Sequence, residues 1–194
     1  MNSDYRVGKR TALLFTITVL TMMVTNVALV RQNRALKASR PGLQRGLELQ
    51  RGRTVPGFEG MDAAGNRIQV HYNEDQRKTL LLVFSPGCRF CRENMPGWRA
   101  LTQALDQTRC RPVAVSLLAP GTREYLDEYG FVDLPAIAEI DPKARVEYNL
   151  TLSPQTIVID PSGVVEKVWN GLLTEDSIRE IESVLGINLT NAKL

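Results

Sequence analysis

In FSPGCRFCRENMP, residues 84–96, two of the chain's three cysteines stand three positions apart, directly after a run of apolar residues. A pair at that spacing can hold a metal, close a small loop or pass electrons. The ligand count argues against zinc. The chain has one histidine, His71, and no second CxxC to complete a four-ligand site around Cys88 and Cys91. Three cysteines are too few for a disulfide scaffold, and the remaining one, Cys110, reads as a buried structural thiol. No metal and no other cofactor is expected. The net charge of +3, with no basic face interleaved with aromatics, excludes a nucleic-acid binder.

Electron transfer needs one sulfur ready to attack and a second ready to resolve. Cys88 falls at or just before the start of an expected helix. There the unpaired N–H groups and the helix dipole favour a thiolate, and Arg89 adds positive charge. Cys91, one turn on and more covered, is placed to attack the mixed disulfide that Cys88 forms.

The elements around the pair alternate between strand and helix. TLLLVFS (79–85) is apolar on both alternations, as a central strand covered on both faces must be. A helix running past Trp98, Leu101 and Leu105 follows the CxxC. Then come a strand over 111–118, a helix over 121–130, a buried strand over 154–160 and an edge strand over 164–171. Residues 174–186 carry a Thr N-cap, early acids, one apolar stripe and a terminal Gly, which predicts the last helix. Upstream, the Gly65-Asn66 pair within residues 55–71 predicts a hairpin.

The N-terminus is of another kind. After a tail over residues 1–10, residues 11–30 contain no charge and are bracketed by Lys9, Arg10 and Arg31. At about 1.5 Å per residue this stretch reaches across roughly 30 Å, the hydrocarbon thickness of a bilayer. No clean small-x-small cleavage site follows Val30, so an uncleaved anchor is expected. Residues 31–53 read as a basic linker, and residues 54–194 as the folded domain. Arg31, Arg34, Lys37, Arg40 and Arg45 outweigh Arg6, Lys9 and Arg10, which by the positive-inside rule favours a cytoplasmic domain.

The order of these elements, the CxxC, Pro96 five residues after Cys91, and SPQTIVIDPSG (153–163) together resemble the TlpA-like membrane-anchored oxidoreductases of bacteria, within the wider redoxin group. The likeness covers about two thirds of the chain. It implies a thioredoxin-like α/β fold, a mixed central sheet flanked by helices, with Cys88 and Cys91 as the redox-active pair. It also implies a kink at Pro96 and a cis bond before Pro154. A cis bond there leaves the backbone of Ser153 free to pair with an extended substrate. Against the family pattern, Ser85 and Gly87 stand where Trp is common, Asn94 where a carboxylate is common, and Leu82 where thioredoxin has a buried acid. Proton transfer at Cys91 would then fall to water or to Glu93.

The resemblance implies a membrane-tethered thiol-disulfide oxidoreductase. Its partners would be protein thiols and disulfides, with a transmembrane electron donor as a further partner. Its domain would lie outside the cytoplasm at the bacterial inner membrane, despite the flanking charges, because long domains translocate largely regardless of them. Two alternatives stay open. A peroxiredoxin-like thiol peroxidase is half-supported, with Ser85 at the hydroxyl position of P-x-x-x-T/S-x-x-C but Leu81 in place of its proline. A tethered, non-enzymatic binding module with a structural disulfide would resist reduction below about −300 mV.

Overall fold

The computed structural model describes residues 8–39, 49 and 51–189. The chain divides into two compact units, Met1–Glu48 and Leu49–Leu194.

In the first unit, helix α1 runs over Lys9–Ser39, beyond the expected end of the apolar stretch. Its segment Ala12–Gln32 is the one helix, among the described residues, that is long and apolar enough to cross a membrane. The threonines and Asn26 of this segment bond back to carbonyls about one turn earlier. The hydroxyls of Thr18, Thr21 and Thr25 donate to the carbonyls of Leu14, Ile17 and Thr21 at 2.8–2.9 Å. The Asn26 amide donates to Met22 at 3.1 Å. Such back-bonding leaves a helix with few polar groups in need of water.

The second unit starts earlier than residue 54. Leu49 is buried, Gly52 N–H donates to Val165 C=O, and Val165 N–H donates to Arg53 C=O. The end of the expected linker is therefore part of the folded unit, because its backbone completes hydrogen bonds with the strand that contains Val165. Residues 40–48 of that linker lie outside the described residues.

The unit is built on five strands in the order β5-β4-β3-β7-β8. They are β3 (Lys78–Phe84), β4 (Cys110–Ser116), β5 (Ala136–Ile137), β7 (Gln155–Ile159) and β8 (Val165–Asn170). β3 pairs parallel with β4 and antiparallel with β7, so the sheet is mixed and β3 is central, as its two-sided apolar pattern predicts. Leu80, Leu82 and Phe84 face one core and Leu81 and Val83 the other. Helices α2 (Arg89–Ala104), α3 (Thr122–Glu128) and α5 (Glu175–Leu185) cover the first face.

On the second face a smaller antiparallel sheet has the order β2-β1-β6, from β1 (Phe58–Met61), β2 (Arg67–Val70) and β6 (Glu139–Ile140). The β1–β2 connection is a five-residue loop rather than a two-residue Gly-Asn turn. Asp62 Oδ1 accepts from the N–H groups of Ala64 and Asn66, each at 2.8 Å, and this Asx-type cap sets the loop length. Beside this sheet, α4 (Pro142–Glu147) is capped by Asp141 and begins with Pro142.

Candidate active site

The C-terminal edge of β3 gathers four loops. Phe84 pairs with Ser116 at the end of parallel β4, Val83 with Gln155 at the start of antiparallel β7, and Gln155 with Asn170 at the end of β8. The segments after β3, β4 and β8 and the segment before β7 therefore meet at one end of the sheet. Cys88 and Ser153 come together there.

Ser85, Pro86, Gly87 and Cys88 form the turn that carries the chain from β3 into α2. Cys88 N–H donates to Ser85 C=O at 3.1 Å, and Gly87 sits at φ 79. Pro followed by a positive-φ Gly is the composition such a turn requires, which accounts for Gly87. Cys88 is the N-cap of α2, with its Sγ accepting the Cys91 N–H at 3.3 Å. Cysteine thus fills the role that Ser or Asp usually plays at this position.

The two sulfurs differ in environment. Cys88 is half-buried, and the Ser153 carbonyl lies 3.9 Å from its Sγ. Burial disfavours its thiolate. That effect is outweighed by hydrogen bonds from the Cys91 thiol and N–H, from Ser153 and from the Phe90 N–H, so its pKa lies below the ordinary thiol value. Cys91 is fully buried, and burial together with its hydrogen bond to Cys88 pushes its pKa up to about 12. Burial also raises Cys110, to about 11. A small alkylating reagent should therefore modify Cys88 first. The rate should climb with pH as the thiolate fraction grows and level off below the ordinary thiol pKa, while Cys91 and Cys110 stay unmodified near neutral pH. Peptide mass spectrometry across a pH series checks this, and equal labelling of Cys88 and Cys91 would contradict it.

The Ser153–Pro154 bond is cis. Ser153 Oγ lies 3.0 Å from Ser85 Oγ, joining the segment before β7 to the turn before Cys88. Sequence reasoning assigned Ser85 no such contact. Asn94 is buried and bridges elements: its amide donates to Gly171 C=O at 3.0 Å and its Oδ1 accepts Leu173 N–H at 2.9 Å. The Asn in place of a carboxylate thus ties α2 to the loop after β8. Glu93 pairs with Arg89 at 3.0 Å on the outer side of α2. Side chains two positions apart on a helix point about 200° apart, so a proton passing from buried Cys91 to Glu93 has to travel through water. Pro96 lies inside α2, and Trp98 donates its indole N–H to Thr156 Oγ1 at 2.8 Å.

The AhpC/TSA family profile matches residues 51–168, the span that holds β3 to β7, the first part of β8, the CxxC and Pro154. The chain belongs to the AhpC/TSA family. Among curated relatives of this AhpC/TSA protein, the thioredoxin-like protein YneN of Bacillus subtilis is 25% identical over 146 residues, covering 72% of this chain and 81% of the relative. The thiol-disulfide oxidoreductase ResA of the same organism is 24% identical over 140 residues, covering 71% and 76%. Among solved structures, a putative thiol:disulfide interchange protein DsbE from Chlorobium tepidum superposes with a TM-score of 0.58 at 20% identity, over 72% of this chain and 98% of its own. The resemblance to redoxins and the thioredoxin-like fold are borne out.

Proposed function

We propose that this protein is a membrane-tethered thiol-disulfide oxidoreductase whose C-R-F-C motif exchanges electrons with protein thiols. The observation that carries the proposal is the asymmetry of the pair: an accessible sulfur capping a helix, with its thiolate favoured, and a buried, protonated sulfur one turn inside. Cys88 thiolate attacks a partner disulfide and one partner sulfur leaves as thiolate. Cys91 then attacks Cys88, and the second partner sulfur leaves. Two electrons pass from the dithiol to the partner, and the reverse sequence oxidises a partner dithiol.

Ser153 and Pro154 form the substrate platform beside Cys88, with the Ser153 backbone offered to an extended chain. The rim supports a protein partner, because Phe90 on the first turn of α2 and Leu118, Leu152 and Leu172 on the gathered loops are each 42–55% exposed. Apolar side chains around a reactive sulfur suit an unfolded or extended segment more than a small polar thiol. The α1 segment over 11–30 tethers the domain on the outer side of a bacterial inner membrane, where a transmembrane donor can re-reduce the pair.

Membranes holding the full chain, washed with carbonate, should catalyse the reduction of insulin disulfides by dithiothreitol, and the activity should stay in the pellet. Activity lost to the wash would remove the tether. Rapid peroxide consumption without insulin reduction would hand the site to the thiol-peroxidase reading.

A further inference from the structure

Tyr125, on α3, carries a buried hydroxyl that has no hydrogen-bond partner. Its ring is fixed. It stacks on Phe84, the last residue of β3, with centroids 5.6 Å apart and planes at 12°, and it meets Tyr129 at 5.2 Å. The ring packs against the same apolar cluster that contains Cys91 and that Cys88 also lines. A buried, unpaired hydroxyl is costly, and phenylalanine would fill the same space without that cost. The Ser85 backbone and the Ser153 side chain already favour a thiolate at Cys91, too weakly to offset its burial. Leu82 is apolar, and Asn94 commits both ends of its amide to Gly171 and Leu173.

We propose that Tyr125 is a positioning residue whose hydroxyl donates a hydrogen bond to the Cys91 sulfur when that sulfur becomes a thiolate. The idea rests on the assignment of Cys91 as the resolving thiol. In the resolving step the Cys91 proton goes to water, and the thiolate attacks Cys88 Sγ in the mixed disulfide. The Cys88–Cys91 bond forms as the bond to the partner breaks. The partner sulfur leaves with the electron pair and takes a proton from water, while Tyr125 keeps its own. Burial, then negative charge on Cys91, Tyr129 and Cys88, hold the Tyr125 proton in place against the opposing field of Arg92, so the phenol remains a donor.

The test uses the reduced full chain in detergent micelles with one equivalent of 5,5′-dithiobis(2-nitrobenzoic acid). Cys88 releases the first coloured thiolate and Cys91 the second. Tyr125→Phe should leave the first phase within about twofold and slow the second by roughly tenfold, the scale of one hydrogen bond to a charged group. The pH midpoint of the second phase should move upward, and the thermal midpoint of the dithiol form should not fall. An unchanged second phase overturns the proposal. So does equal slowing of both phases with a lowered thermal midpoint, which marks the hydroxyl as packing only. A wild-type protein that releases a single thiolate would overturn the role of Cys91 itself, and this inference with it.

Discussion

Cys91→Ser should accumulate mixed disulfides with its natural partners, while Cys88→Ser should form none and lose exchange activity by roughly a thousandfold or more, the scale of deleting an enzyme nucleophile. The two variants differ in kind because the two sulfurs sit differently. Cys88 caps α2, receives the Cys91 N–H at 3.3 Å and is half-buried, so it is both reachable and biased toward thiolate. Without Cys91 that sulfur still attacks, but nothing displaces the partner, and the adduct persists. Without Cys88 the remaining thiol is fully buried with its pKa pushed up to about 12, so near neutral pH almost none of it is the attacking form. Cys110 lies at the start of β4, buried and likewise protonated, and Cys110→Ser should leave the adduct pattern unchanged. Non-reducing electrophoresis of cells quenched with acid reads all three variants. Adducts appearing in Cys88→Ser, or vanishing with Cys110, would reverse the assignment.

What the sequence made legible follows from how local each signal is. The central strand announced itself by apolar residues on both alternations, and β3 is buried over Thr79–Phe84. The last helix was bounded by side chains that act within one turn. Thr174 and Ser177 form a capping box, and Gly186 closes the helix at φ 67. The CxxC pointed to its own place because a cysteine at a helix start has one obvious set of neighbours. By contrast, α4 is six residues long and shows no full period, although Asp141-Pro142 is a helix-start signal that could have found it. β5 and β6 have two residues each, and only their partners define them. The Ser85–Ser153 contact joins residues 68 apart, and the Asn94 bridge joins residues 77 and 79 apart. Such pairings depend on which strand lies beside which, and no local pattern encodes that. Glu93 is a different case: it pairs with Arg89, and any part it has in proton transfer at Cys91 runs through water.

Trp98→Ala should lower stability by about 3–5 kcal/mol, the usual cost of emptying a buried indole site, a large part of the roughly 5–15 kcal/mol that holds a domain together. The midpoint of thermal unfolding should fall by about 10 °C or more. Trp98 is buried under α2, two turns beyond Cys91, and its N–H reaches Thr156, two residues beyond Pro154 on β7. That bond links the helix carrying the cysteines to the strand that presents Ser153, so its loss acts on the site as well as on the core. Substitutions at the two ends separate volume from hydrogen bonding. Trp98→Phe keeps much of the ring but leaves the Thr156 hydroxyl buried and unpaired, a cost of about 1–3 kcal/mol. Adding Thr156→Val to Trp98→Phe removes the orphaned hydroxyl and should recover part of that loss in chemical denaturation, because two apolar partners need no bond. Exchange activity should not recover with it, since the tie between α2 and β7 is still missing. A double variant no more stable than Trp98→Phe would mean that the lost ring volume, rather than the 2.8 Å bond, sets the cost.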